Sequence, residues 1–384
     1  MNPSRVMILA GEASGDAHAA EFVEQLRELK PDIELNGMGS SEMRAAGVDV
    51  FFDSSIIAVF GLVEVLRHWG DIKRAMAIVK QQMEDTRPDL LVLVDYPEFN
   101  LKMARHAREL GIPVLFYISP QVWAWRPKRI HKIGRLIDHM AVIFRFETKY
   151  YEDADIPVSF VGHPLVDKVK PGVGADSLRQ RLGIPEQSRV VGLFPGSRRS
   201  EVSRLLPVML ATAREMHEQD SELKFVLPVA STLDFDDISE QARSSGVDVI
   251  VTRDEIYDVI SCCDAITTCS GTVTLEIALL RTPMCILYRM SPLSYQIMKR
   301  LITIPHIGLV NIVAGEAVVR EFLQSEANPR TVARELFALL EDREYRARID
   351  SGLERVRENL GSGNGARNMA ELVLSMVQEP GFNR

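Results

Sequence analysis

The chain has 384 residues, more than a single core usually serves, so two domains of roughly 150 to 200 residues are expected. Its 46% hydrophobic and 26% charged residues are globular proportions, which argue against extended disorder and against a polytopic membrane protein. The net charge of −8 gives no bulk reason to bind nucleic acid, although RPKRIHKIGR is a local basic run. Met1 is followed almost at once by the strand-like VMILA, leaving no room for a signal peptide, so export is not expected. Cys262, Cys263, Cys269 and Cys285 lack the paired C-x-x-C spacing of zinc sites and read as thiols buried in core strands.

Short β-branched apolar runs alternate with amphipathic stretches of helical length, the pattern of a parallel sheet covered by helices. In the first half strands are predicted at 6–10, 89–95, 113–119, 139–144 and 158–162, with helices beginning near Asp16, Asp71, Phe99, Lys128 and Glu147. Residues His163 to Gly174, with two prolines and two glycines, read as a connection between domains. A second series follows: RVVGLFP, LKFVLPV, VDVIVT, CDAITTC and PMCILYRM, each with a helix after it. From Asn328 onward the pattern is helical, broken by GSGNGAR. No strand precedes those glycines, so a helix-to-helix turn fits them better than a phosphate loop. The domains predicted are 1–170, 171–345 and a helical tail, 346–384, packing across both. The fold class is α/β, two Rossmann-like doubly wound domains facing a cleft.

In open α/β sheets ligands bind beyond the carboxyl ends of the strands, so the chemistry is sought in those loops. Gly11, Ser14, Gly15 and Asp16 follow the first strand but match neither a dinucleotide nor a Walker loop, and a structural turn capped by Asp16 competes with a ligand loop. Asp95 ends DLLVLVD and Glu98 follows three residues later; either is placed to act as a base, or both serve as caps of a helix. Trp123, Trp125 and Arg126 sit in a strand-to-helix loop, where aromatic faces suit sugar stacking or plain anchoring. Gly196, Ser197 and Arg198 combine a glycine turn, backbone donors and a guanidinium, a set that suits a diphosphate. Ser270, Gly271 and Thr272 make a second such turn, and Glu276 beyond it is placed to accept from a ribose diol. Asp153-Ala154-Asp155 and Asp234-Phe235-Asp236 resemble metal-binding pairs but lie in surface contexts that suit solvated charges. The apolar stretch 56–66, with Trp69 beyond it, is too short to span a bilayer; it suits a core helix, an acyl-chain groove or a membrane-surface patch.

Taken in order, GEASGD, DYPEFN, SPQVWAWR, GHPLVD, PGSRRSEV, SGTVTLE and YRMSP resemble the motifs of lipid-A-disaccharide synthases, from about residue 6 to past residue 320. The resemblance implies a GT-B fold and a bacterial cytoplasmic enzyme held peripherally on the inner membrane. The implied reaction joins UDP-2,3-diacylglucosamine to 2,3-diacylglucosamine 1-phosphate (lipid X), giving a β-1,6-linked disaccharide 1-phosphate and UDP. It proceeds with inversion and without a required metal or other cofactor. By position, Asp95 resembles the general base and Glu98 its acidic neighbour. Arg198 and the turn Ser270 to Thr272 resemble the leaving-diphosphate site, Glu276 the ribose contact, and Asn311 an asparagine near the donor. Val310 stands before it where many relatives have proline. Both substrates carry acyl chains, so Val63, Leu66 and Trp69 are expected to contact lipid.

Two other readings compete. A UDP-N-acetylglucosamine 2-epimerase would share the donor loops without a lipid acceptor, and a nucleotide-binding scaffold would keep Arg198 and Glu276 without a base. No nucleic-acid partner is expected. The sequence leaves the oligomeric state open, a homodimer among the options.

Overall fold

A computed structural model describes residues 3–57, 68–125, 127–291, 295–296 and 304–378. The chain divides into two compact units, Met1–Pro164 with Leu360–Arg384, and Leu165–Asn359.

The first unit is built on seven parallel strands: β1 (Arg5–Ala10), β2 (Glu34–Gly39), β3 (Asp49–Asp53), β4 (Leu90–Val94), β5 (Val114–Tyr117), β6 (His139–Val142) and β7 (Val158–Phe160). Their order is β3-β2-β1-β4-β5-β6-β7. All five residues of β4, LLVLV, are buried, as a central strand covered on both faces requires. The periodic signal does not reveal β2 and β3. Their sequences, ELNGMG and DVFFD, carry glycine or terminal aspartates where the other strands have unbroken apolar runs.

The helix Ala13–Leu29 turns Ala19, Phe22, Val23 and Leu26 inward, spaced to fall on one face. The helix Gly365–Gln378 packs against it, which returns the end of the chain to the first unit. That return is pinned by backbone: His163 N–H donates to Leu360 O at 2.9 Å, and the Asn368 side-chain amide donates to Val161 O at 2.9 Å. The turn between the last two helices runs through Gly361 (φ 107°), Gly363 (φ 91°) and Asn364 (φ 62°), left-handed backbone that the glycines supply. GSGNGAR is therefore a helix-to-helix turn.

The second unit carries six parallel strands: β8 (Val190–Phe194), β9 (Lys224–Pro228), β10 (Val249–Thr252), β11 (Ala265–Cys269), β12 (Met284–Tyr288) and β13 (Glu321–Leu323). Their order is β10-β9-β8-β11-β12-β13. The three-residue β13 is too short for a periodic signal. The connection out of the first unit is seated by Asp258, whose Oδ1 accepts the backbone N–H of Gly172 at 2.8 Å and of Val173 at 3.0 Å. All four cysteines are free and buried, and burial pushes the Cys269 and Cys285 thiols up to about 12.

Glycine in β2 has a packing reason. A Cβ at Gly37 would overlap the backbone carbonyl of Ile8 in β1, which cannot retreat without breaking the ladder. Gly37→Ala is expected to destabilise the protein by about 1–3 kcal/mol. Gly70→Ala, on an open helix surface with nothing within 4 Å, is expected to stabilise it by about 0.4–1 kcal/mol. Urea-unfolding midpoints check both signs.

Candidate functional site

Each sheet reverses its winding at one pair of neighbours. In the first, β2 and β4 flank β1; in the second, β9 and β11 flank β8. Crossovers leaving in opposite directions open a crevice at the carboxyl ends of those strands. The pairs Ala10↔Val94 and Phe194↔Thr268 therefore bring Gly11–Asp16 beside Asp95–Asn100 in one unit, and Pro195–Arg198 beside Ser270–Thr272 in the other.

Asp95 and Tyr96 both adopt left-handed backbone, each with φ 47°, a conformation that costs energy for non-glycine residues. Asn100, wholly buried, holds them there. Its amide nitrogen donates to Asp95 O at 2.7 Å, Val94 O at 3.2 Å and Leu9 O at 3.4 Å, gathering the ends of both switch strands. Asp95 N–H donates to Tyr117 O at 2.9 Å. The Tyr96 ring stacks on Phe99 at 5.8 Å and lies where a Cβ at Gly11 would be, which is why the first loop has glycine there. Asp16 turns away from this face: its carboxylate accepts the backbone N–H groups of Ser40 at 2.6 Å and Glu42 at 3.0 Å. Gly15 is buried against β4, and Ser14 is exposed.

The electrostatics single out Asp95. Burial raises its pKa above the ordinary aspartate range, while the Tyr96 N–H and His18 pull it back. Glu12 is raised by burial and then by the charge of Asp95, and Tyr96 by burial and then by Glu12. His163 is pushed down to about 3 by burial and by His18, which keeps it neutral. Glu12, His18 and Asn100 escape a reading by strand ends alone, although Glu12 and Asn100 lie inside GEASGD and DYPEFN.

Glu98 is different. Its side chain is 79% exposed and pairs with Arg129 at 2.6 Å. Trp123 is buried, its indole N–H donating to Glu147. Trp125 closes the short helix Val122–Trp125. Its side chain, and Arg126, Val63 and Leu66, fall outside the described residues. Trp69 opens the helix Trp69–Thr86 at 43% exposure, with the Lys73 and Lys102 ammonium groups 5.7 and 5.6 Å from its ring.

In the second unit Gly196 takes φ 111°, and Ser197 and Arg198 are exposed beyond it. Arg198 pairs with Glu201 at 3.0 Å, and the Thr232 hydroxyl donates to Ser197 O at 2.8 Å. Ser270 Oγ donates to Ile307 O at 3.0 Å, Gly271 is half-buried and Thr272 is exposed. Burial alone raises Glu276, and burial first, then the charges of Glu276 and Glu255, raises the nearby Tyr257. Asn311 is wholly buried with its carboxamide committed: Oδ1 accepts from Val318 N–H and Val319 N–H, while Nδ2 donates to Val319 O and Glu321 Oε1. Glu321 also accepts the Ile307 and Gly308 N–H groups at 2.9 Å, so Asn311 is tied to the 307–308 backbone through that carboxylate. Asp234 caps a helix, accepting the N–H groups of Asp236 and Asp237. A groove of about 540 Å³ runs from there to Val251–Arg253, with the Arg253 guanidinium 5.1 Å from the Phe235 ring.

A family model described as lipid-A-disaccharide synthetase matches residues 6–377. The lipid-A-disaccharide synthase of Geobacter sulfurreducens is 51% identical over 97% of both chains, and that of Coxiella burnetii is 41% identical over 98% of this chain and all of its own. The chain belongs to the lipid-A-disaccharide synthase family. It is a glycosyltransferase of GT-B fold. Solved structures share that fold at low identity. Acinetobacter baumannii MurG matches with a TM-score of 0.60 and 13% identity over 97% of this chain and 100% of its own. A Neisseria meningitidis UDP-GlcNAc 2-epimerase bound to UDP-GlcNAc gives 0.61 and 13% over the same shares.

In this member of the family Asn100 sets the backbone on which Asp95 sits. Removing its amide strands three buried carbonyls, at about 1–3 kcal/mol. Asn100→Ala is expected to lower kcat by about tenfold or more, each factor of ten being about 1.4 kcal/mol. The KM for the UDP-sugar should hold. Steady-state rates with each substrate varied in turn check the split.

Proposed function

We propose that the chain transfers 2,3-diacylglucosamine from UDP to the 6-hydroxyl of 2,3-diacylglucosamine 1-phosphate. The first unit supplies the base and the second holds the donor. The Asp95 carboxylate takes the hydroxyl proton as the oxygen attacks the anomeric carbon. The bond from that carbon to the diphosphate breaks, and UDP leaves as the new β-1,6 bond forms with inversion. Arg198 and the backbone N–H groups of Gly196–Ser197 and Ser270–Thr272 meet the charge growing on the leaving group, where fixed donors act most strongly. Glu276 accepts from the ribose hydroxyls. Asn311 keeps the 307–321 backbone in register behind the donor.

The observation that carries the assignment of the base is the Asp95 carboxyl, half-buried at the switch point on a backbone held out of its relaxed state. Glu98, exposed and paired with Arg129, is the weaker candidate and serves to fix the 127–129 turn. The epimerase reading loses weight because the relatives at 41 to 51% identity are all lipid-A-disaccharide synthases, whereas the epimerases share only the fold.

No described helix is long and apolar enough to cross a membrane. Substrates with acyl chains call for access to a bilayer surface. We place Val63, Leu66 and Trp69 there, on the cytoplasmic face of the inner membrane, with Lys73 and Lys102 beside Trp69 to meet anionic headgroups.

Incubation with both acylated substrates is expected to give a disaccharide phosphate by mass spectrometry, with UDP released only when the acceptor is present. Asp95→Asn should lower kcat by about 10² to 10⁴ with UDP-sugar affinity retained, while Glu98→Gln should cost no more than about threefold. A near-normal rate for Asp95→Asn removes it as the base. Serine at Val63, Leu66 and Trp69 together should weaken sedimentation with anionic vesicles while leaving the circular-dichroism spectrum unchanged.

A further inference from the structure

Under the loop that follows β5 lies a buried polar node that the reaction above does not use. Glu147, at the start of the helix Glu147–Glu152, is 2% exposed. Its Oε1 accepts the Trp123 indole N–H at 2.9 Å, and its Oε2 accepts the Phe144 backbone N–H at 3.3 Å. Ser119 Oγ is 2.7 Å from the hydroxyl of Tyr151, a wholly buried residue of the same helix. The Phe146 ring packs edge-on against Trp123 at 5.1 Å and stacks on Phe144 at 5.5 Å. The helix Glu147–Glu152 thus grips the loop at both ends, Trp123 through Glu147 and Ser119 through Tyr151.

The same loop leaves the sheet beside Asp95. Tyr117 O accepts the Asp95 N–H, and the next residue, Ile118, takes φ 68°, a strained setting for a β-branched side chain. Such a turn persists only when its surroundings hold it. The groups that do so here are Ser119, Trp123 and the acid beneath them.

We infer that Glu147 is a positioning residue for the acceptor: by holding Trp123, while Tyr151 one turn on meets Ser119, it fixes the 119–125 loop beside Asp95. This rests on the proposed role of Asp95 as the acceptor's base, which makes the adjoining loop the acceptor's wall. Burial pushes the Glu147 carboxyl up to about 8, and no cation among the described residues offsets its charge. The titratable groups around it are the Tyr151 phenol, itself pushed above its ordinary range, and His163 across the Phe144 ring, held neutral. The neutral acid accepts from the Trp123 indole and the Phe144 backbone. Because the folded-state pKa is raised, the grip is complete in acid and is lost as the pH rises through about 8.

The test is the acceptor KM of the full-length enzyme from pH 6.5 to 9.5, for wild type, Glu147→Ala, Glu147→Gln and Trp123→Ala. Wild type should show an acceptor KM that climbs above about pH 8, with the UDP-sugar KM flat. Glu147→Ala should raise the acceptor KM by about tenfold at about pH 6.5 to 7, the loss of a buried hydrogen bond to the loop, and show no further climb at alkaline pH. Glu147→Gln, a permanent mimic of the neutral acid, should restore the acceptor KM at neutral pH and abolish the alkaline climb. A wild-type acceptor KM in Glu147→Ala, or an unchanged alkaline climb in Glu147→Gln, overturns the inference. If Glu147→Ala does not fold, the Gln comparison decides alone. A normal acceptor KM in Trp123→Ala overturns the acceptor-wall reading and the inference with it. An impaired Trp123→Ala beside a normal Glu147→Ala leaves that reading standing and removes only the role of Glu147.

Discussion

The constraint on which the rest depends is the parallel pairing of β1 with β4. Two parallel strands whose crossovers leave on opposite sides cannot both have their carboxyl ends covered, and the uncovered ends are where backbone donors and side chains are free to meet a ligand. The glycine loop after β1 and the acid after β4 become neighbours by that pairing alone. Asn100 then ties the two ends together by donating to carbonyls of both strands. The second unit repeats the device with β8 and β11, although its loops carry a guanidinium and small residues in place of buried acids. A duplicated architecture has thus been given two chemistries by its loops.

Burial does different work in the two units. In the first it acts on carboxyl groups: Asp95, Glu12 and Glu147 are all raised, and the surrounding histidine His163 is held neutral. A site of this kind suits proton transfer, because a carboxylate made more basic by burial takes up a proton more readily. In the second unit the groups proposed to hold the donor, Ser197, Arg198 and Thr272, are exposed, as would befit a surface that takes up a highly charged and well-hydrated nucleotide. The half-buried Glu276 is the exception. Its position on the first turns of a helix suits it to hydroxyl groups rather than to phosphate.

Much of this was legible in the linear order of residues. The central strands announce themselves because they are buried on both faces and so become uninterrupted β-branched runs. The switch-point loops are legible because strand-end glycines and acids stand out against those runs, and seven motifs in order identify the family. The strands β2, β3 and β13 were not legible. A glycine demanded by the Ile8 carbonyl, or a strand of three residues, breaks the periodicity on which such a reading relies. The last helix was predicted as a helix, but nothing in its pattern tells which unit its apolar face covers.

By itself the sequence determined the fold class, the family, and the acids and cations from which a glycosyltransferase site is made, since these follow from local patterning and from motifs contiguous in the chain. Tertiary structure decided how those residues are used. It turned Asp16 and Asn311 inward as backbone anchors, paired Glu98 with Arg129 in solvent, and left Asp95 as the half-buried acid at the switch point. It also set Glu147, a residue in no motif, beneath Trp123. Each of these outcomes rests on a hydrogen bond or a burial between residues distant in the chain, and no spacing of letters encodes which partner a side chain will meet.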